Sequence, residues 1–301
     1  MSKRKLLFTC DLGDPICCLY AGETGCIAGT MQGKVWCRGF DDKQPEELAA
    51  FSDEAVRGVF MDEDHCFATL HEGCRSWRRT KSGHSNMASM RRLSGKGSQA
   101  VRHVLQHGMW VCAVFPLSTT LVNVTVSEQH SRDFKIADVG SAQDAAPCDF
   151  DGERLLIVDR AQAGDPILRL VSLEKNHQTK LEHLPELGFA SIIKLWGADC
   201  LAYAVENTLR LYDHRAAKTR HRLLGHRADI VAIDTHSAQT IAALDADATL
   251  RMWNGSTGEC TQTLHVPGAS FFMGFPYCLC VRGRRALVSA DEGAFLLELN
   301  A

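Results

Sequence analysis

The chain is expected to be an all-β protein built from one repeated unit. Three observations carry that expectation. Short apolar and β-branched runs recur from end to end, separated by Gly, Asp, Asn and Pro clusters, with no sustained 3.6-residue period. Candidate first strands at residues 15–20, 55–61, 101–106, 145–150, 190–195, 229–234 and 270–275 return every 39–46 residues. Seven such units fill the 301 residues. A fixed period of about 40–45 residues, with several short strands in each, marks a β-propeller. The expected architecture is therefore a single seven-bladed β-propeller of four-stranded blades.

Taken in order, the blades divide near residues 11–51, 52–94, 95–140, 141–185, 186–224, 225–266 and 267–301, with residues 5–10 joining the last. Blade one reads PICCLYA, GCIAGT, KVWCRGF and EELAAF, with Gly33 in its central turn. Blade two reads AVRGVFM, HCFATL and GCRSWRR, followed by a Ser-, Gly- and Arg-rich stretch over residues 80–99 that is expected to be a loop. Blades three and four are VRHVLQ, WVCAVF, TTLVNVTV and FKIADV, then APCDF, RLLIVDR, ILRLVSL and a polar strand. Blade five is ASIIKLW, CLAYAV, NTLRLYD and TRHRLL. Blade seven can be built from FFMGF, YCLCVR, ALVSAD and FLLELN. Alternatively, three of these join the N-terminal KLLFTC.

Blade six, GHRADIVAIDTHSAQTIAALDADATLRMWNGSTGECTQTL over residues 225–264, is the clearest copy. It has a Gly-His pair, a strand, a polar turn, a second strand, an Asp and a third strand ending in Trp. In this it resembles a WD-repeat unit, and the whole chain resembles a divergent WD-repeat propeller. The resemblance implies that the N-terminal strand completes the last blade, which removes exposed sheet edges. It also implies a buried hydrogen-bonded network of His226, Asp247 (six residues before Trp253) and Trp253. The family's hydroxyl falls at Ala243, so this copy lacks it. A His–Asp pair is also two thirds of a nucleophilic triad. With alanine where the hydroxyl belongs, the pair reads as a structural staple.

Composition bounds the function. No apolar run approaches the ~18 residues of a membrane helix, and the start MSKRKLLFTCDLG lacks a signal peptide's apolar core. A cytoplasmic or nuclear protein is expected. Its 13 cysteines include no Cys-x-x-Cys pair and fall mostly in strands, so they read as reduced, buried small hydrophobes, with no metal site or disulfide framework. No P-loop, Gly-x-Ser-x-Gly or His-Glu-x-x-His motif occurs. Enzymatic chemistry and cofactors have no visible home.

The formal charge of −3 conceals one asymmetry: residues 73–127 hold eight Lys/Arg and no acid. Arg75, Arg78, Arg79, Lys81, Arg91, Arg92, Lys96 and Arg102 are the candidate contacts to a partner or an anion. Arginine suits bidentate phosphate contacts and Trp77 is a candidate stacking group. Ser94, after Arg91-Arg92-Leu93, fits a basophilic kinase site. Tyr212-Asp213-His214-Arg215 resembles the Trp-Asp-x-Arg ending of cullin-type ubiquitin-ligase substrate receptors, which makes Arg215 a candidate adaptor contact. The leading expectation is a non-enzymatic protein-interaction scaffold within a multiprotein assembly. The alternatives are an RNA-associated component docking through residues 75–103, or a ligase substrate receptor.

Overall fold

The computed structural model describes residues 6–10, 12–40, 42, 44–51, 54–70, 73–80, 83–84, 89–92, 103–108, 110–114, 119–123, 131–134, 145–159, 167–173, 175, 177–181, 190–235, 237, 239–271, 277–291 and 293–299. Its described residues form strands and turns. β1 (Leu6–Cys10) precedes a first sheet of β2 (Ile16–Ala21), β3 (Gly25–Thr30), β4 (Lys34–Gly39) and β5 (Glu46–Ala50). The second sheet comprises β6 (Gly58–Met61), β7 (His65–Thr69), β8 (Gly73–Thr80), β9 (Gly83–His84) and β10 (Ser89–Arg92). The third has β11 (His103–His107), β12 (Trp110–Val114), β13 (Thr119–Asn123) and β14 (Ser131–Phe134). The fourth has β15 (Ala145–Phe150), β16 (Arg154–Asp159), β17 (Ile167–Ser172) and β18 (His177–Leu181).

The fifth sheet is β19 (Ala190–Trp196), β20 (Cys200–Val205), β21 (Thr208–Asp213) and β22 (Lys218–Leu223). The sixth is β23 (Ile230–Asp234), β24 (Thr240–Asp245), β25 (Thr249–Asn254) and β26 (Cys260–His265). The seventh holds β27 (Leu279–Arg282), β28 (Arg285–Ala290) and β29 (Gly293–Glu298), with β1 antiparallel to β29 at its edge. The first strands of successive sheets lie side by side, and β2 also lies against β27.

The core sits between the sheets. One cluster joins Leu156, Leu168 and Leu170 of the fourth sheet to Leu195, Leu201 and Tyr203 of the fifth. Others join the fifth to the sixth, the sixth to the seventh and the seventh to the first. The first and fifth sheets are thus covered on both faces, and their second strands need not alternate. β3 and β20 are buried at every position, which explains the unbroken runs GCIAGT and CLAYAV.

Two expectations need correction. The stretch over residues 80–99 is more than a loop, because β9 and β10 lie within it and β10 pairs with β8. The first strand of the seventh sheet is β27 rather than residues 270–275, of which 272–275 lie outside the described residues. Among them Phe271 is described, and its ring packs edge-on to Tyr277 at 4.8 Å.

Candidate functional site

In blade six, His226 is held where the chain enters β23 and Asp245 where β24 ends. His226 Nδ1 lies 2.7 Å from Asp245 Oδ2, with both side chains sealed from solvent. The partner of His226 is therefore Asp245 and not the expected Asp247, which is exposed and gives its backbone N–H to Asp245 Oδ1 at 3.1 Å. The reason is local. The polypeptide turns immediately after Asp245, so the carboxylate at the strand end faces inward, while the residue two positions on sits at the turn's outer edge. Thr249 N–H also donates to Asp245 Oδ1, at 2.8 Å.

Burial pushes the Asp245 carboxyl upward. The His226 bond and the Thr249 and Asp247 amides outweigh it and hold the group below the ordinary carboxylate range. The Trp253 ring is buried and lies 5.3 Å from that of His226, tilted at 60°. Ala243, two residues before Asp245 on β24, is fully buried, so the hydroxyl expected at that position is missing. The arrangement staples β24 to the segment leading into β23.

The basic residues are dispersed rather than gathered. Arg75 lies within β8, half-buried, with its guanidinium 4.3 Å from the centroid of the Phe51 ring of the first sheet. Arg78 is exposed further along β8, and Arg79 follows it on the same strand. Arg91 and Arg92 lie on β10, opposite Cys74 and Gly73, and β10 is the last strand of its sheet. Lys81, Ser94, Lys96 and Arg102 lie outside the described residues. Trp77 is buried between the first two sheets and is closed to a stacking base, which corrects the expectation for it.

In blade five, Arg215 follows β21 and pairs with Asp199 at 2.8 Å, with its side chain 76% exposed. Asp213 accepts the Ala216 N–H at 2.8 Å and two Arg220 bonds at 2.9 and 2.6 Å. The Ala216 amide and then the Arg220 guanidinium hold its carboxyl below the usual range. The Tyr212-Asp213 ending thus has its acid committed to closing its own turn.

Sequence reasoning missed the axis of the molecule. The first strands surround a cavity of about 560 Å³ whose walls include Asp149, Lys194, Asp234, Arg282 and His107. Asp149 on β15 accepts the Leu195 N–H at 2.7 Å and Lys194 Nζ at 3.0 Å, both from β19. Asp234 on β23 accepts the Val281 N–H and Arg282 Nη1, the latter at 3.3 Å, both from β27.

One device is used twice: an acid on one first strand grips a backbone amide and the adjacent cation of the next. Arg282 continues to the first sheet, 5.4 Å from the Tyr20 ring centroid. Arg154 adds a further clasp, bonding Asp151 at 2.8 Å and the carbonyls of Gly197 and Ala198. The Asp149 carboxylate keeps the Lys194 ammonium above its ordinary value against burial. Burial pushes the His107 imidazole down, and Asp151 and Asp149 oppose that only in part. The visible signal was a charged residue near the end of otherwise apolar runs, in APCDF, SIIKLW, IVAID and LCVR.

Comparison with known proteins defines the class as a propeller-like, all-β fold. Among solved structures the chain is similar to the WD40 β-propeller domain of Doa1, with a TM-score of 0.65 and 12% identity over 100% of this chain and 98% of that one. It is also similar to the computationally designed Ika8 protein, with a TM-score of 0.65 and 10% identity over 98% of this chain and 100% of that one. No family model and no curated protein matches the sequence. At such identities the likeness is one of fold, and function has to be argued from surfaces.

Proposed function

We propose that the chain is a non-enzymatic protein-interaction scaffold, a closed seven-bladed ring that presents its partner-binding groups on a rigid frame inside the cytoplasm or nucleus. Closure is supported by the pairing of β1 with β29 and by the contact of β2 with β27. Rigidity is supported by the acid–cation clasps between successive first strands.

The observation that carries the scaffold reading is the position of the basic groups. Arg91 and Arg92 lie on the outermost strand of blade two, beside the strand that carries the exposed Arg78. A basic outer strand on a rigid support suits an acidic protein surface.

Affinity purification with quantitative proteomics tests this, comparing the wild type with Arg78→Glu/Arg91→Glu/Arg92→Glu. Wild type should recover stoichiometric partners and the folded variant should lose one or more of them. A wild-type chain recovered alone would sink the proposal. RNA docking is the second reading, resting on the same arginines. It expects affinity that falls steeply with salt, and the burial of Trp77 removes its stacking group. A ligase-receptor role would rest on Arg215 alone.

A further inference from the structure

Successive residues of a regular strand point to opposite faces, and the two adjacent thiols of blade one depart from that rule. The β2–β3 register passes from Ile16↔Thr30 to Cys18↔Gly29, which leaves Cys17 as an extra residue. Such a bulge re-aims side chains. Cys17 Sγ lies 2.8 Å and Cys18 Sγ 3.7 Å from the same acceptor, the Val56 carbonyl.

Gly29 makes the room. A Cβ there would stand 2.6 Å from Cys18 Sγ and 2.5 Å from Val56 Cγ1. A third thiol, Cys278, donates to the Cys17 carbonyl at 3.1 Å and braces the bulge from the seventh sheet. Cys17 and Cys18 are only partly buried, whereas Cys37 and Cys66, whose sulfurs are 3.8 Å apart, are enclosed.

Two chemistries suit a close thiol pair. Disulfide formation is the poorer one here: adjacent Cα atoms are about 3.8 Å apart, shorter than the roughly 4.4–6.8 Å an unstrained bridge spans. Chelation by both sulfurs carries no such limit. We propose that Cys17 and Cys18 form a dithiol site for a soft, thiophilic metal or metalloid centre that takes two sulfur ligands.

Among the described residues no three ligating side chains converge, so the site offers a two-sulfur bite and no closed cage. With phenylarsine oxide as probe, each sulfur forms one As–S bond, the As=O bond is lost, and both thiol protons leave with its oxygen as water. Arsenic remains trivalent and no oxidant is needed.

The test treats the native full chain with one equivalent of phenylarsine oxide, reads the intact mass, then alkylates with N-ethylmaleimide and maps the modified peptides. One adduct should form and be reversed by a dithiol. It should shield Cys17 and Cys18 from alkylation, and be lost in both Cys17→Ser and Cys18→Ser. Shielding is mapped on the wild type, so the test stands even where a variant misfolds. The proposal is overturned by no adduct on the native chain, by an adduct that leaves both residues open to alkylation, or by retention of the adduct in both variants.

Discussion

Asp245 shows how much a single buried carboxylate settles. It accepts from His226 and from two turn amides, so removing either side chain leaves enclosed polar groups unmatched. His226→Ala and Asp245→Ala should each lower stability by about 1–3 kcal/mol. Asp247→Ala, at an exposed turn position, should stay within about 0.5 kcal/mol. Thermal melts of the three variants check this ordering, and equal melting temperatures for all three would contradict it.

Because the folded-state pKa of Asp245 is lowered, its contribution is fully present above the ordinary carboxylate value of 3.8 and is lost as the pH falls below it. The stability gap between wild type and Asp245→Asn should therefore narrow on acidification through that window. A gap that widens there would contradict the assignment. The sequence identified His226 for this network but named the wrong acid, and Trp253 meets the pair as a ring beside His226. Two aspartates flank one turn, and spacing counted from Trp253 cannot say which of them the backbone turns inward.

Between elements, the joints that matter are the ones between first strands. Asp149→Asn removes the charge that faces Lys194, and Asp234→Asn does the same for Arg282. These groups meet a solvated cavity, so the loss is moderated by screening, and each variant should cost about 1–2 kcal/mol. Urea melts check it, and an unchanged midpoint in both variants would mean that the clasps do not hold the sheets.

A second joint lies between blades five and six. Trp196 donates its indole N–H to Ser237 O at 3.0 Å, and its ring lies so close to Gly255 that a Cβ there would stand 2.2 Å from Cζ2. Gly255→Ala should destabilise by about 1–3 kcal/mol through overpacking. The repeat period made the strands legible, because both-faced burial writes itself into continuous apolar runs such as CLAYAV. The joints were not legible. A lone charge ending a short strand looks like a solvated rim residue, and only the packing of neighbouring sheets turns Asp149 and Lys194 toward each other.

For the whole molecule, everything proposed for the surface depends on the sheets forming one closed frame. The period alone could not separate a ring from an open array. It also placed the first strand of the last blade too early, since the run at 270–275 is as apolar as β27. What bears on closure is the N-terminal strand, laid antiparallel on β29 from Cys10↔Ala294 to Leu6↔Leu297. The most direct test is hydrogen exchange of the native chain, following the amides of residues 6–10 against those of β28 and β29. In a closed ring the two sets exchange at similarly slow rates, and deleting residues 1–10 speeds exchange in β29. Amides of residues 6–10 that exchange at the rate of a free terminus, while β28 and β29 stay protected, would contradict the closed ring.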